Sequence, residues 1–167
     1  MNYRIAMLVM GMVAFLGVGV AVTPGAAQAA TVGTFSFYLQ QSPSPNNCLH
    51  ANGVGNQLTA DYSGSSICSN ITITTDGKLG SSTVYQFKDG NGNCIRANNS
   101  NVVKVENGAC NTSDTGEQWI ATYGTVGSGN TVRFENVLQQ GWLKTDSYAS
   151  GADIWVGNGG ENNWLLV

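Results

Sequence analysis

His50 is the only histidine of the chain, so a serine or cysteine nucleophile that relies on an imidazole base would have to use it. No Gly-x-Ser-x-Gly turn accompanies it, and a surface position is expected for this residue. Ten acidic residues leave a catalytic carboxylate pair open, because only a structure sets the separation of such groups. Nothing else points to catalysis, and the chain reads as a non-enzyme. Asp89-Gly-Asn91-Gly-Asn93 opens like a calcium loop. Its sixth and twelfth places hold Cys94 and Ser100, however, where Gly and Glu are required. Cys48, Cys68, Cys94 and Cys110 are separated by 19, 25 and 15 residues, unlike the short spacing within zinc-ligand pairs. Gly53-Val-Gly55 follows no βαβ pattern that would hold a dinucleotide. No metal and no cofactor is expected. Asn70-Ile-Thr72, Asn98-Asn-Ser100 and Asn111-Thr-Ser113 are glycosylation sequons in a host that glycosylates.

The elements that would position a site can be read from composition. Of 167 residues only 10% are charged, against roughly 25% in ordinary soluble domains. Five Phe, four Trp and six Tyr argue against a disordered chain. A net charge of −3, with seven Lys plus Arg scattered singly, argues against nucleic acid as a partner. Near the N-terminus, Arg4 precedes an apolar run from Ile5 to Val22 and a Thr-Pro-Gly-Ala-Ala-Gln-Ala-Ala segment. These are the parts of a secretory leader, with Ala27 and Ala29 at the −3 and −1 places and cleavage expected after Ala29 or one residue later. A membrane anchor is the competing reading, since the run is just long enough to span a bilayer. The leader reading gives a secreted, extracellular domain, Ala30–Val167, with no membrane contact after cleavage. Four cysteines in an exported chain suggest two disulfides, with three possible pairings.

About a quarter of the mature chain is Gly or Asn, the composition of many tight turns. Between the turns lie short β-type segments: 35–39, 71–74, 84–87, 102–105, 131–134 and 154–156. No stretch keeps a helical apolar period over eleven residues, so the mature chain is all-β. Asp89 to Asn93 reads as a hairpin turn. A repeat is also present. Cys48-Leu-His-Ala-Asn52 and Cys94-Ile-Arg-Ala-Asn98 match at a separation of 46 residues, and Trp142-Leu-Lys-Thr-Asp146 follows 48 residues later. Trp119 and Trp164 close the second and third units, which are roughly 80–124 and 125–167, after a first of 30–79. The third unit lacks both the leading and the trailing cysteine. Loss as a pair is what an intra-unit bond would give, so Cys48 pairs with Cys68 and Cys94 with Cys110.

With these motifs the chain resembles a ricin-type β-trefoil lectin domain: three units, each with a Cys-Leu-type opening, a second Cys and a closing Gln-x-Trp. The closing motif is altered here to Gln118-Trp119 and Asn162-Asn-Trp164. The resemblance implies a six-stranded barrel capped by three hairpins, twelve strands in all, with the closing Trp residues in the core. It also implies a shallow sugar pocket on each unit. An Asp two residues after the first Cys and an amide before the closing Trp would grip hydroxyls, and an aromatic ring would stack on the apolar C–H face.

The Asp place holds His50, Arg96 and Lys144 instead. Unit three retains most of the remaining pattern. Asp153-Ile-Trp155 matches the polar-x-aromatic strand, Asn162 stands at the amide place, and Asp146 could supply the carboxylate if its loop bends inward. Ile154 and Val156 would then face the core. Unit one offers Asp61 and Tyr62, with Asn70 as its amide. Unit two has Glu106 where the ring should be and reads as scaffold. The expected function is non-catalytic carbohydrate binding, through unit three first and unit one second. The alternative is a non-lectin β-trefoil that binds a protein partner, such as an exported hydrolase it inhibits. That reading rests on fold analogy, and its loops would be Tyr148–Gly151 and Thr125–Asn130.

Overall fold

The computed structural model describes residues 29–40, 47–62, 67–159 and 162–167. The expected leader, apart from Ala29, lies outside them. Unit one supplies β1 (Thr31–Leu39), β2 (Asn47–His50), β3 (Thr59–Tyr62) and β4 (Asn70–Leu79). Unit two supplies β5 (Ser82–Lys88), β6 (Ile95–Ala97), β7 (Val103–Val105) and β8 (Trp119–Tyr123). Unit three supplies β9 (Thr131–Asn136), β10 (Gly141–Lys144), β11 (Ala152–Asp153), β12 (Trp155–Gly157) and β13 (Trp164–Leu166). A single-turn 3-10 helix, Thr115–Glu117, precedes β8.

Antiparallel pairing runs from β1 to β4, β5, β8, β9, β13 and back to β1, so the six strands close a barrel with no free edge. The hairpins β2–β3, β6–β7 and β10–β12 form the cap. This is a β-trefoil, and each of the six β-type segments read from sequence overlaps a strand. The described residues form thirteen strands rather than twelve, because Ile154 interrupts the last hairpin strand. Its N–H leaves the ladder and donates to Leu58 O of unit one at 2.9 Å. Leu58 N in turn donates to Val103 O at 2.9 Å, so the hairpins are linked to one another across the cap.

Register identifies equivalent residues. Phe37 faces Leu166, Phe87 faces Ile73 and Phe134 faces Ala121. The three Phe rings meet inside the barrel at centroid distances of 5.5, 5.6 and 4.8 Å. Trp119 and Trp164 are fully buried beneath them. Their indole N–H groups donate to Ile95 O (3.5 Å) and Leu143 O (2.9 Å) on the hairpin of the same unit. Unit one has no such tryptophan, and the equivalent carbonyl, Leu49 O, accepts from Ser69 N at 3.0 Å. The backbone acceptor is satisfied in all three units, as burial demands.

The disulfides are Cys48–Cys68 and Cys94–Cys110, as the repeat predicts. Between β5 and β6, Asp89 accepts the N–H groups of Asn91 (2.9 Å) and Asn93 (2.8 Å), while Gly92 takes φ +84. Asp89 thus shapes the hairpin turn expected there.

Each disulfide closes a short loop and restricts the unfolded chain. Replacing Cys94 and Cys110 together by Ser should lower the unfolding free energy by about 3 kcal/mol. Urea unfolding of the variant beside the wild type measures the loss.

Candidate functional site

In unit three, Leu143 pairs with Val156 and Lys144 with Trp155. Leu143 and Val156 are buried in the core, so alternation turns Lys144 and Trp155 to the outer face. The Lys144 side chain is nevertheless only 7% exposed. Its ammonium donates to Gly159 O at 2.8 Å, pairs with Asp146 Oδ1 at 2.9 Å, and lies 4.6 Å from the centroid of the Trp155 ring. The ring also leans over Gly157, whose position has no room for a Cβ. One buried cation therefore fixes both a carboxylate and an aromatic ring.

The loop from Thr145 to Gly151 folds back over this surface. Asn162 Oδ1 accepts from Thr145 N at 2.6 Å, Asn47 Nδ2 donates to Tyr148 O at 2.9 Å, and Ser150 Oγ donates to Asp61 Oδ1 at 3.0 Å. Between the loop and the strand carrying Trp155 lies a cleft of about 460 Å³. Asp146, Asp153 and Trp155 line it together, with Gln57, Ser147 and Ser150 among the other lining residues.

The remaining expected site residues stand elsewhere. Asn162 is buried behind the loop and holds its backbone. Asp61 is buried and supports the cleft wall from outside through Ser150. Tyr62 is 41% exposed beside the same loop, with its N–H 3.4 Å from Ser150 Oγ. Asn70 lies on the barrel wall, where it accepts from Ser36 Oγ. Pairing also corrects the alignment of the units. Opposite His50 stands Thr59, and opposite Arg96 stands Lys104. These residues, not Tyr62 and Glu106, occupy the place that Trp155 holds opposite Lys144. The units differ in the length of chain between hairpin and second cysteine, so counting back from Cys68 or Cys110 misplaces the register.

The three positions where a carboxylate was expected share one arrangement. Each basic residue there pairs with an acid from another part of its own unit: His50 with Asp61 (3.2 Å), Arg96 with Asp114 (2.9 Å) and Lys144 with Asp146 (2.9 Å). His50 is thus a partly buried, paired residue rather than a bare surface one. The acids differ in access. Asp61 is 10% exposed and Asp114 30%, whereas Asp146 is 64% exposed. Only unit three presents its relocated carboxylate to solvent beside an aromatic ring. A second hollow, of about 380 Å³, lies at the β8–β9 turn against Tyr123, Thr125 and Asn130.

No family model matches the chain, and no curated protein matches it. Among solved structures it is similar to a designed three-fold symmetric protein, ThreeFoil, at TM-score 0.59 and 16% identity, covering 80% of this chain and 97% of that one. It is also similar to lysenin in a complex with phosphocholine, at TM-score 0.56 and 11% identity, covering 80% of this chain and 43% of that one. The lysenin pore gives TM-score 0.56 and 10% identity, over 83% and 48%. The chain thus spans less than half the length of lysenin. At these identities the likeness is one of fold.

Burial works against the Asp61 carboxylate, but hydrogen bonds from Thr59, Ser150 and His50 outweigh it and hold the carboxyl below its ordinary range. The stability this lends is complete above the unfolded value, about 3.9, and is lost as pH falls through the lower folded value. Asp61→Asn should cost about 1–2 kcal/mol at neutral pH. Its unfolding free energy should also fall less steeply than the wild type's on acidification from about pH 5 to 2, as measured by denaturant titration at several pH values.

Proposed function

We propose that this chain is a secreted, non-catalytic carbohydrate-binding protein whose site is the unit-three cleft. The observation that carries the reading is the convergence of Trp155 with Asp146 and Asp153 in one concave surface, beside amide and hydroxyl groups. A sugar presents hydroxyls at its edge and C–H groups on its face; carboxylates and amides accept and donate to the first, and an indole packs on the second. Lys144 and Gly157 hold the indole in place before ligand arrives, which lowers the ordering cost of binding. The β-trefoil fold and the resemblance to ricin-type domains support the same reading, and two disulfides fit an extracellular setting. A protein partner would be expected to meet a protruding loop. Within the Tyr148–Gly151 loop, Ala149, Ser150 and Gly151 instead line a hollow, and Asn47 and Asp61 pin the loop.

A panel of glycans and insoluble polysaccharides, applied to wild type and Trp155→Ala, tests the proposal. Wild type should bind at least one class, and Trp155→Ala should bind it at least about tenfold more weakly while its melting temperature stays within a few degrees. Undiminished binding by a folded Trp155→Ala would contradict the assignment of the site. Absence of binding across the panel would contradict the function.

A further inference from the structure

The cleft is not electrically neutral. Two carboxylates line it, and neither a lysine nor an arginine does. The nearest cation, Lys144, is nine-tenths buried, and its ammonium is already engaged by Gly159 O, Asp146 and the Trp155 ring. Lys144 therefore balances Asp146 and has no donor directed at a ligand. Asp153 differs. It is exposed, its side chain has no hydrogen-bond or ion-pair partner among the described residues, and it stands two residues before Trp155 on the same outer face. The residue opposite it on β3 is Thr59, a neutral group whose hydroxyl donates to Asp61. The His50 imidazole has its Nδ1 directed at Asp61. Asp153 is thus an uncompensated negative charge at the edge of the aromatic platform.

We infer that the unit-three cleft selects glycans by charge: it admits neutral and amine-bearing sugars, rejects uronate- and sulfate-bearing ones, and Asp153 is the residue that decides. The inference rests on the carbohydrate reading above. Asp153 and Trp155 line the same cleft, so a ring stacked on the indole turns its edge substituents toward the Asp153 carboxylate. A hydroxyl there donates to the carboxylate, and an ammonium donates and is attracted as well. A carboxylate or sulfate at the same place can donate nothing and is repelled. Because Lys144 already lies over the ring, attraction for a ligand ammonium comes from Asp153 rather than from the indole. The cleft is open to solvent, so the discrimination is moderate and falls with salt.

The probes are equal-length oligomers of glucosamine, glucose and glucuronate, and of galactosamine, galactose and galacturonate. Within each series the ring and linkage are kept, while an ammonium replaces the 2-hydroxyl in the amine and a carboxylate replaces the C6 hydroxymethyl in the uronate. Binding would be measured by calorimetry at low salt and about pH 6, where the amino sugars carry their proton. In whichever series binds, the amine should be tightest and the uronate weakest, about tenfold apart. In Asp153→Asn, checked for folding by its melting curve, that gap should shrink to less than about threefold. Uronate bound as tightly as the neutral sugar would overturn the charge selection and leave the carbohydrate reading standing. A gap that persists in Asp153→Asn would overturn the assignment to that residue. Failure of every member of both series to bind would overturn the inference, while the broad glycan panel decides the reading beneath it.

Discussion

Three phenylalanines meeting inside the barrel set the terms for the rest of the molecule. Phe37, Phe87 and Phe134 each come from the first strand of a unit, and each touches both of the others. A barrel of six strands has little interior, so one large ring per unit nearly fills it at this level, and a shift of any strand by one residue would expel its ring. The register fixed in this way places Trp119 and Trp164 under the cap, and their indole N–H groups hold the hairpin carbonyls above them. The outward residue on each hairpin, His50, Arg96 or Lys144, is then placed by the core rather than by its own contacts.

At those three outward places stand His50, Arg96 and Lys144, each paired with an acid from another position in its unit. The pairs are alike in arrangement and unequal in consequence. In unit one the acid is sunk beneath a network of Thr59, Ser150 and His50, which makes it a structural group. In unit two the acid caps a 3-10 turn through Gly116 N. In unit three it sits two residues after its lysine, in a loop held open by Asn162 and Asn47, and there it faces solvent next to Trp155. Of the three pairs, among the described residues, the one in unit three lies beside the cleft. In unit one, Asp61 braces the cleft wall through Ser150, and Ser69 N completes the cap by donating to Leu49 O.

The architecture was legible in the sequence because its determinants are local and repeated. The Cys-Leu and Cys-Ile openings, the paired absence of cysteines from unit three and the alternation of segments such as Val102–Val105 each constrain one unit without reference to the others. Asp146, Asp153 and Trp155 could be grouped for the same reason, since they lie on one hairpin. Contacts between units carry no such signature. That Ser150 joins the cleft to Asp61, 89 residues earlier, depends on how neighbouring hairpins abut. That Thr59 rather than Tyr62 stands opposite His50 follows only from the strand pairing, which spacing in the sequence does not reveal. Asn162 stands at the amide place of the motif, and whether such a residue meets a ligand or the backbone follows only from the fold, where its Oδ1 accepts from Thr145 N.

The claim that a threefold scaffold carries one working site can be tested by backbone amide NMR of the isotope-labelled protein, titrated with the tightest-binding oligosaccharide. The account predicts shift changes concentrated between Lys144 and Trp155, with smaller changes at Gln57 and Ser150's partner Asp61, and none at the equivalent hairpin of unit two. Comparable changes at Arg96 and Lys104, or changes centred on Tyr123 and the β8–β9 turn, would contradict it.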